Sequence, residues 1–231
     1  MDSLSLVIPN HNGARVIEES IRKYDEIFSR KFKKFEMISV CNGCTDNSVK
    51  ICNKLGREFQ LKTLEIPQRG KGYALIRGFN EAQHKALGFL DADNPFDLTK
   101  IGTMVDDLEK SDIVIASKYP RGSARLQESL SRRLISLGGG VVSRNLFNLN
   151  LSDTQAGAKF FRRQVWETIN KRNNFICTGF DWDIEFLYRA VKNNFKITET
   201  HIPFKPEDFS TVKLKYLPGM LKRLLMLRLT R

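Results

Sequence analysis

The residues of this chain best suited to chemistry begin with Asp91-Ala92-Asp93. Two carboxylates flanking a small residue, just after an apolar run, form a hard-oxygen site suited to Mg2+ or Mn2+. Such a site leaves coordination positions open for phosphate oxygens. An ion held there would neutralise charge building on a bound phosphate group. The same residues also have a plain structural use, with Asp93 capping the next helix and Asn94-Pro95 as the turn. Lys71, between Gly70 and Gly72, is a second candidate. Flanking glycines let a backbone approach a phosphate closely, although a solvated lysine at a helix start has the same sequence. Cys41-Asn42-Gly43-Cys44 has the spacing of a metal or redox pair. A structural zinc site needs four thiolate or imidazole ligands at paired spacing. Cys52 and Cys177 form no second pair, and His11, His84 and His201 are scattered, so the segment reads as small residues in a tight turn.

These candidates must be positioned by regular elements, and the apolar pattern supplies them. Short runs at Ser5–Ile8, Glu36–Cys41, Leu61–Ile66, Leu87–Leu90 and Asp112–Ser117 read as strands. Helical periodicity over Ala14–Ser29, Thr45–Arg57, Lys71–His84 and Thr99–Glu109 separates them. This alternation predicts an α/β fold with a mostly parallel central sheet flanked by helices. In such sheets ligands bind beyond the carboxyl ends of the strands, where the motifs fall. Beyond Lys118 the pattern loosens; a helix is expected over Ser129–Leu149, then an aromatic-rich segment, a helix over Asp183–Lys192 and a strand over Ile197–Ile202. A chain of 231 residues that is 41% hydrophobic can bury a sizeable core without staples. Met1–Ser5 run directly into the first strand, so no leader is expected, and the four cysteines are expected to be reduced in a cytoplasmic protein.

Three segments precede the acidic motif in order: Val7-Ile8-Pro9-Asn10-His11-Asn12, Val40-Cys41-Asn42-Gly43-Cys44-Thr45-Asp46-Asn47-Ser48 and Gly70-Lys71-Gly72. Ser117-Lys118-Tyr119, Arg132–Ser136, Asp153-Thr154-Gln155-Ala156-Gly157-Ala158-Lys159-Phe160-Phe161 and Trp182-Asp183-Ile184-Glu185 follow it. Together they resemble the inverting family 2 glycosyltransferases of GT-A fold, in particular the dolichyl- and polyprenyl-phosphate glucose and mannose synthases, over nearly the whole chain. The Asp-Thr-Gln segment is more similar to the glucose-type branch. The resemblance implies that Pro9, Asn10, Asn12, Asn42, Asp46, Lys71, Asp91, Ala92, Asp93 and Lys213 bind a nucleotide sugar, a UDP-sugar in preference to GDP-mannose. It implies that Asp91 and Asp93 hold the Mg2+ or Mn2+. It also places Lys118, Arg132, Arg133 and Ser136 around the phosphate of a lipid acceptor. Four positions depart from the family pattern. Gly13 stands where the first loop carries an acid, Cys41 and Asn42 replace two acids, and Pro95 replaces a third metal ligand. An amide at position 42 can still hydrogen-bond a base edge.

The chain's net charge of +12 is concentrated. Lys118 to Arg163 holds nine basic residues against two acidic ones, and Lys205 to Arg231 holds seven against two. Concentrated basic segments suggest particular anionic partners, here a lipid phosphate and an anionic membrane surface. Nucleic acid is not expected, because the basic residues are not interleaved with aromatics on a strand face. A phosphate acceptor is already an oxyanion and needs no general base, so Asp93, Lys118 and Arg132 would suffice with the metal. A family 2 transferase acting on a saccharide or glycolipid hydroxyl would need a base, for which Asp183 and Asp153 are candidates. The division expected is a catalytic domain over 1–215 and a basic amphipathic helix over 216–231. In that helix apolar residues fill an arc of roughly 200°, with Lys222, Arg223 and Thr230 opposite. Such a helix suits a peripheral position at the cytoplasmic face of a membrane, or packing on the domain with a basic rim.

Overall fold

The computed structural model of the chain describes residues 1–93, 96–118, 146–203 and 217–230. Among them, seven strands form one sheet in the order β3-β2-β1-β4-β6-β5-β7. These are β1 (Ser3–Asn10), β2 (Lys34–Asn42), β3 (Leu61–Ile66), β4 (Ala86–Leu90), β5 (Ile113–Ser117), β6 (Ala158–Arg162) and β7 (Ile197–His201). The helices are α1 (Ile17–Lys31), α2 (Ser48–Leu55), α3 (Lys71–Glu81), α4 (Leu98–Met104), α5 (Arg163–Ile169), α6 (Trp182–Lys192) and α7 (Leu217–Thr230).

Helices cover both faces of the sheet, which is why its inner strands are apolar without alternation. Along β1, Leu4, Leu6 and Ile8 point into a core closed by Ile17, Ile21, Tyr24 and Phe28 of α1. Val7 points the other way, into a core closed by Ala74, Leu75 and Phe79 of α3 and Trp182 and Phe186 of α6. Full burial of a side chain such as Phe28 contributes about 2–3 kcal/mol. Helix α1 also has Glu18 and Glu19 in its first turn and Arg30 and Lys31 in its last, which complements its dipole. Pro9 is tolerated in a central strand because the β1–β4 ladder has already ended at Val7↔Phe89.

The expected α/β architecture is present, with β1–β2, β1–β4, β2–β3 and β5–β7 paired in parallel. The aromatic-rich segment contains the strand that the apolar pattern did not single out. β6 inserts antiparallel between β4 and β5, and so carries Lys159 into the interior. The expected helix over Thr99–Glu109 is α to Met104 and tightens to 3-10 over Val105–Glu109. The helix expected over Ser129–Leu149 falls largely outside the described residues.

Helix α7 packs on the domain. Met220, Leu224 and Leu227 are buried, the latter two in the core shared with α3 and α6. A second apolar stripe, Leu221, Leu225, Met226 and Leu229, remains exposed. Arg223, expected on a solvent face, instead pairs with Asp181 at 2.6 Å, because the helix buries the edge on which Arg223 lies.

Candidate active site

The carboxyl ends of β1 and β2 are joined by hydrogen bonds between their loops. Asn12 adopts a left-handed conformation (φ 55°), and its Oδ1 accepts from Thr45 N at 2.7 Å. Ala14 N donates to Asp46 Oδ2 at 3.0 Å, and Ser48 N to Asp46 Oδ1 at 3.0 Å, so Asp46 ties the first loop to the start of α2. His11 Nδ1 donates to Asn42 O at 2.8 Å. The Cys44 thiol donates to Asn10 O at 3.2 Å and accepts from Asn12 N at 3.4 Å, as suits a small residue in a turn. Cys41 is buried beside Cys52, and that neighbour and the burial push its thiol pKa well above the usual range. Asn10 and Asn42 are 0% and 3% exposed and act within the scaffold. Asn10 Oδ1 accepts from Gly13 N at 3.1 Å. The Asn42 amide bridges Asn10 O at 2.9 Å and Gly70 N at 3.1 Å in the orientation that satisfies both of its ends. Both ends therefore engage the protein backbone, where the sequence suggested contact with a base edge.

Beyond β4 the backbone of the acidic motif is fixed by side chains of α1 and by the loop before β6. Tyr24 Oη donates to Asp91 O at 2.6 Å, Ser20 Oγ to Ala92 O at 2.5 Å, and Asp91 N to Gly157 O at 3.0 Å. Asp93 does not serve as the cap of α4. Asp97 does, accepting from Thr99 N and Lys100 N at 3.0 and 3.2 Å.

A line of alternating charges runs from Asp91 into the interior. Lys71 Nζ lies 2.9 Å from Asp91 Oδ1 and 3.7 Å from Asp183 Oδ2. Lys159 Nζ lies 2.6 Å from Asp183 Oδ1 and donates to Ala156 O at 2.7 Å. Both ammoniums sit over the Phe89 ring, at 4.6 and 5.3 Å from its centroid. Burial penalises the charge on Lys71, but Asp183 and Asp91 outweigh it and raise its pKa, with a smaller contribution from Asp93. At Lys159 burial wins; Asp183 opposes it, Lys71 reinforces it, and the pKa is lowered. The donors Asp91 and Asp93 fit a small hard cation. Among the described residues no group of three or more His, Cys, Asp or Glu is arranged to hold one, so phosphate and water oxygens would complete its shell.

The glycines around Lys71 face protein. Tyr73 N and Gly72 N each donate, at 3.2 Å, to Thr178 O and Gly179 O. A Cβ at Gly72 would come within 2.7 Å of the Thr178 backbone, and Gly70 has φ +141° over the same residue. The loop holding Thr178 is secured by Glu185, which accepts from Ile176 N and Cys177 N at 2.8 and 2.7 Å. It is also secured by Asp181, fully buried, which accepts from Gly179 N at 3.0 Å. Arg223 of α7 forks onto Asp181, with Nε at 2.6 Å and Nη2 at 3.2 Å.

At the rim beyond β5, Lys118 N donates to Asp153 Oδ2 at 3.4 Å. Glu199 accepts from Ser152 N and Asp153 N at 2.7 and 2.9 Å. Arg132, Arg133, Ser136 and Lys213 lie outside the described residues. The structure thus brings together Asn10, Asn12, Asn42, Asp46, Lys71, Asp91 and Asp183 through the contacts above, with Pro9 at the end of β1 and Ala92 and Asp93 directly after Asp91. The contacts of Lys159, Asp181 and Arg223 were not foreseen. A lysine within the otherwise apolar Ala158–Phe161 run was the available signal for Lys159.

The sequence of residues 5–169 matches the model of glycosyl transferase family 2. A Haloferax volcanii glycosyltransferase, AglD, is 27% identical over 91% of this chain, which spans 34% of that protein's length. A Saccharomyces cerevisiae dolichyl-phosphate beta-glucosyltransferase is 26% identical over 91% of the chain and 69% of its own length. Among solved structures, glucosyl-3-phosphoglycerate synthase from Mycobacterium tuberculosis, in complex with Mn2+, UDP and phosphoglyceric acid, superposes with a TM-score of 0.69. It is 19% identical, and the match covers 98% of this chain and 78% of that one.

Proposed function

Because the chain belongs to glycosyl transferase family 2 and has the GT-A fold, we propose that it transfers a hexose from a nucleotide sugar to a polyprenyl or dolichyl phosphate. A UDP-sugar is the preferred donor, with GDP-mannose the alternative. The yeast relative's lipid-phosphate activity and the UDP bound by the solved synthase support this assignment.

The observation that carries the acceptor class is the condition of Asp183. It is 1% exposed, with one oxygen on Lys159 and the other toward Lys71. A general base for a hydroxyl acceptor needs a free oxygen within reach of the substrate. Asp183 offers none, whereas a phosphate monoester attacks as an oxyanion and requires no base. The work left to the protein is to align two anions and stabilise the leaving diphosphate. Asp91 and Asp93 would hold the divalent ion, which would supply charge neutralisation at that diphosphate. Lys71 sits against Asp91 and would contribute a second cation. Lys118, Arg132, Arg133 and Ser136 would bind the acceptor phosphate, where guanidinium forks suit its geometry. Lys213 would close over the donor. Residues 1–215 would then form the catalytic domain, and the exposed apolar stripe of α7 beside Lys222 and Arg228 would rest on an anionic cytoplasmic membrane surface. No helix among the described residues is long and apolar enough to cross a membrane.

The test is steady-state transfer to a short-chain polyprenyl phosphate with donor titration for each variant. Arg132→Ala should lower transfer efficiency roughly ten- to hundredfold, the loss expected for one charge-assisted phosphate contact. Asp183→Asn should lower stability by leaving Lys159 without its partner but should retain turnover in the folded protein, and Asp93→Ala should abolish turnover while the protein stays folded. A silent Arg132→Ala with an Asp183→Asn that is folded by circular dichroism yet inactive would shift the assignment to a hydroxyl acceptor.

A further inference from the structure

We infer that α7 is part of the donor site's architecture, with Arg223 a positioning residue for the segment that carries Lys71. The inference rests on the donor role given to Lys71 above. A continuous set of contacts supports it. Arg223 forks onto Asp181, which is 0% exposed and has no second basic partner among the ion pairs of the described residues. Asp181 in turn holds Gly179 N at 3.0 Å. Gly179 O and Thr178 O receive the amides of Gly72 and Tyr73 at 3.2 Å, in the first turn of α3. The Lys71 ammonium then lies 2.9 Å from Asp91.

The steric fit along this path is close enough to transmit a displacement. A side chain at Gly179 would meet both Arg223 Nη2 and Asp181 Oδ1 at 3.0 Å, so the guanidinium lies against the loop backbone itself. At the next contact, Gly72 leaves no room for a Cβ against Thr178. Well-packed backbones of this kind shift as units. Met220, Leu224 and Leu227 fix the helix from which Arg223 reaches, so the position of α7 sets the position of the loop. The opposite stripe of α7 is exposed. A helix held on one side by the donor site and open on the other can couple a surface it rests on to the placement of Lys71. This coupling is a thermodynamic one, in which anything that favours the docked helix favours donor binding.

Amide hydrogen exchange on the full chain, combined with calorimetric titration of UDP and of GDP with Mn2+, tests this. Arg223→Ala should accelerate exchange at Gly72, Tyr73 and Gly179 by roughly ten- to hundredfold, the effect of losing one charge-assisted contact. It should weaken the nucleotide that the wild type binds by a comparable factor, while leaving the KM for polyprenyl phosphate unchanged. Arg223→Lys, which keeps the charge but not the fork, should recover part of both effects. Leu55→Ala, under α2 on the other face of the sheet, serves as a control for general destabilisation and should change neither. The inference is overturned if Arg223→Ala loosens α7 alone while Gly72 and Tyr73 stay protected. It is equally overturned if their exchange rises with nucleotide affinity unchanged. Failure of the wild type to bind either nucleotide would instead refute the proposed function, and the exchange data would still decide whether α7 holds the segment.

Discussion

Replacing Lys159 by Met should be among the most destabilising single changes in the described chain. Lys159 is fully buried and supplies the 2.6 Å partner of Asp183, itself 1% exposed. Breaking a buried ion pair by deleting one member typically costs about 3–5 kcal/mol, because the surviving charge is left uncompensated. Lys71 remains 3.7 Å from Asp183 and offsets part of the loss, which puts the expected value near the lower end, about 3 kcal/mol. For a chain of this size the urea dependence is about 3 kcal/mol per M, so the midpoint should fall by about 1 M. Lys159→Met combined with Asp183→Leu removes both charges and should recover most of the loss, since well-packed apolar replacements of buried pairs are often neutral. A double-mutant cycle should therefore give a coupling of about 5 kcal/mol between the two positions, the sum of two single losses of about 3 kcal/mol less the small residual loss of the double variant. Urea unfolding of the wild type, both single variants and the double variant measures it. Additive losses, or a midpoint shift below about 0.3 M for Lys159→Met, would refute the account of Asp183 as a carboxylate held closed by two ammoniums.

Gly72→Ala forces a Cβ to within 2.7 Å of the Thr178 backbone, and such overpacking typically costs about 1–3 kcal/mol. Melting temperature and UDP titration should both fall, and an unchanged titration would separate the Gly-Lys-Gly turn from the donor. Asp46→Ala should weaken the joined loops. Asp46 is desolvated in part, but the Ser48 and Ala14 contacts win and hold its pKa below 3.8. A depressed folded pKa contributes stability above the unfolded value and loses it as pH falls through the folded one. The melting difference between wild type and Asp46→Ala should thus be full at neutral pH and vanish in strong acid. A difference that persists there would show that the carboxylate charge is not what ties the loops. Replacing Leu221 and Leu225 by Ser should reduce sedimentation with anionic liposomes, and high salt should weaken binding through Lys222 and Arg228. Equal sedimentation of variant and wild type would remove the membrane role of α7.

The left half of the sheet was legible because its signals are local. β1, β2, β3 and β4 are apolar runs ended by Asn10, Asn42, Pro67 and Asp91, and each is followed by a periodic helix. β6 was not legible, since a buried lysine interrupts its run and its partners are distant in sequence. The pairing of Ala86 with Arg162 cannot be inferred from either neighbourhood alone. Lys71 lies against Asp91, within the acidic motif that the sequence singled out, but its flanking glycines make room for the Thr178 backbone. Sequence spacing identifies a residue that lacks a side chain without identifying what occupies the space. Arg223 was misplaced because helical periodicity divides a helix into two faces, whereas α7 buries one edge and exposes apolar side chains on another.

The antiparallel insertion of β6 has a consequence for how this protein reaches its working form. β1, β2, β3 and β4 come from the first 90 residues and can pair as they emerge. β4 then presents an open edge until a strand more than 65 residues later fills it. Closing that long loop costs chain entropy before its contacts repay it, so the step should come late and slowly. Until it does, Lys159 is absent from Asp183, Gly157 from Asp91, and the apolar edge of β4 is available to other chains. Binding competence and protection against aggregation should therefore arise together, in the same late event of folding.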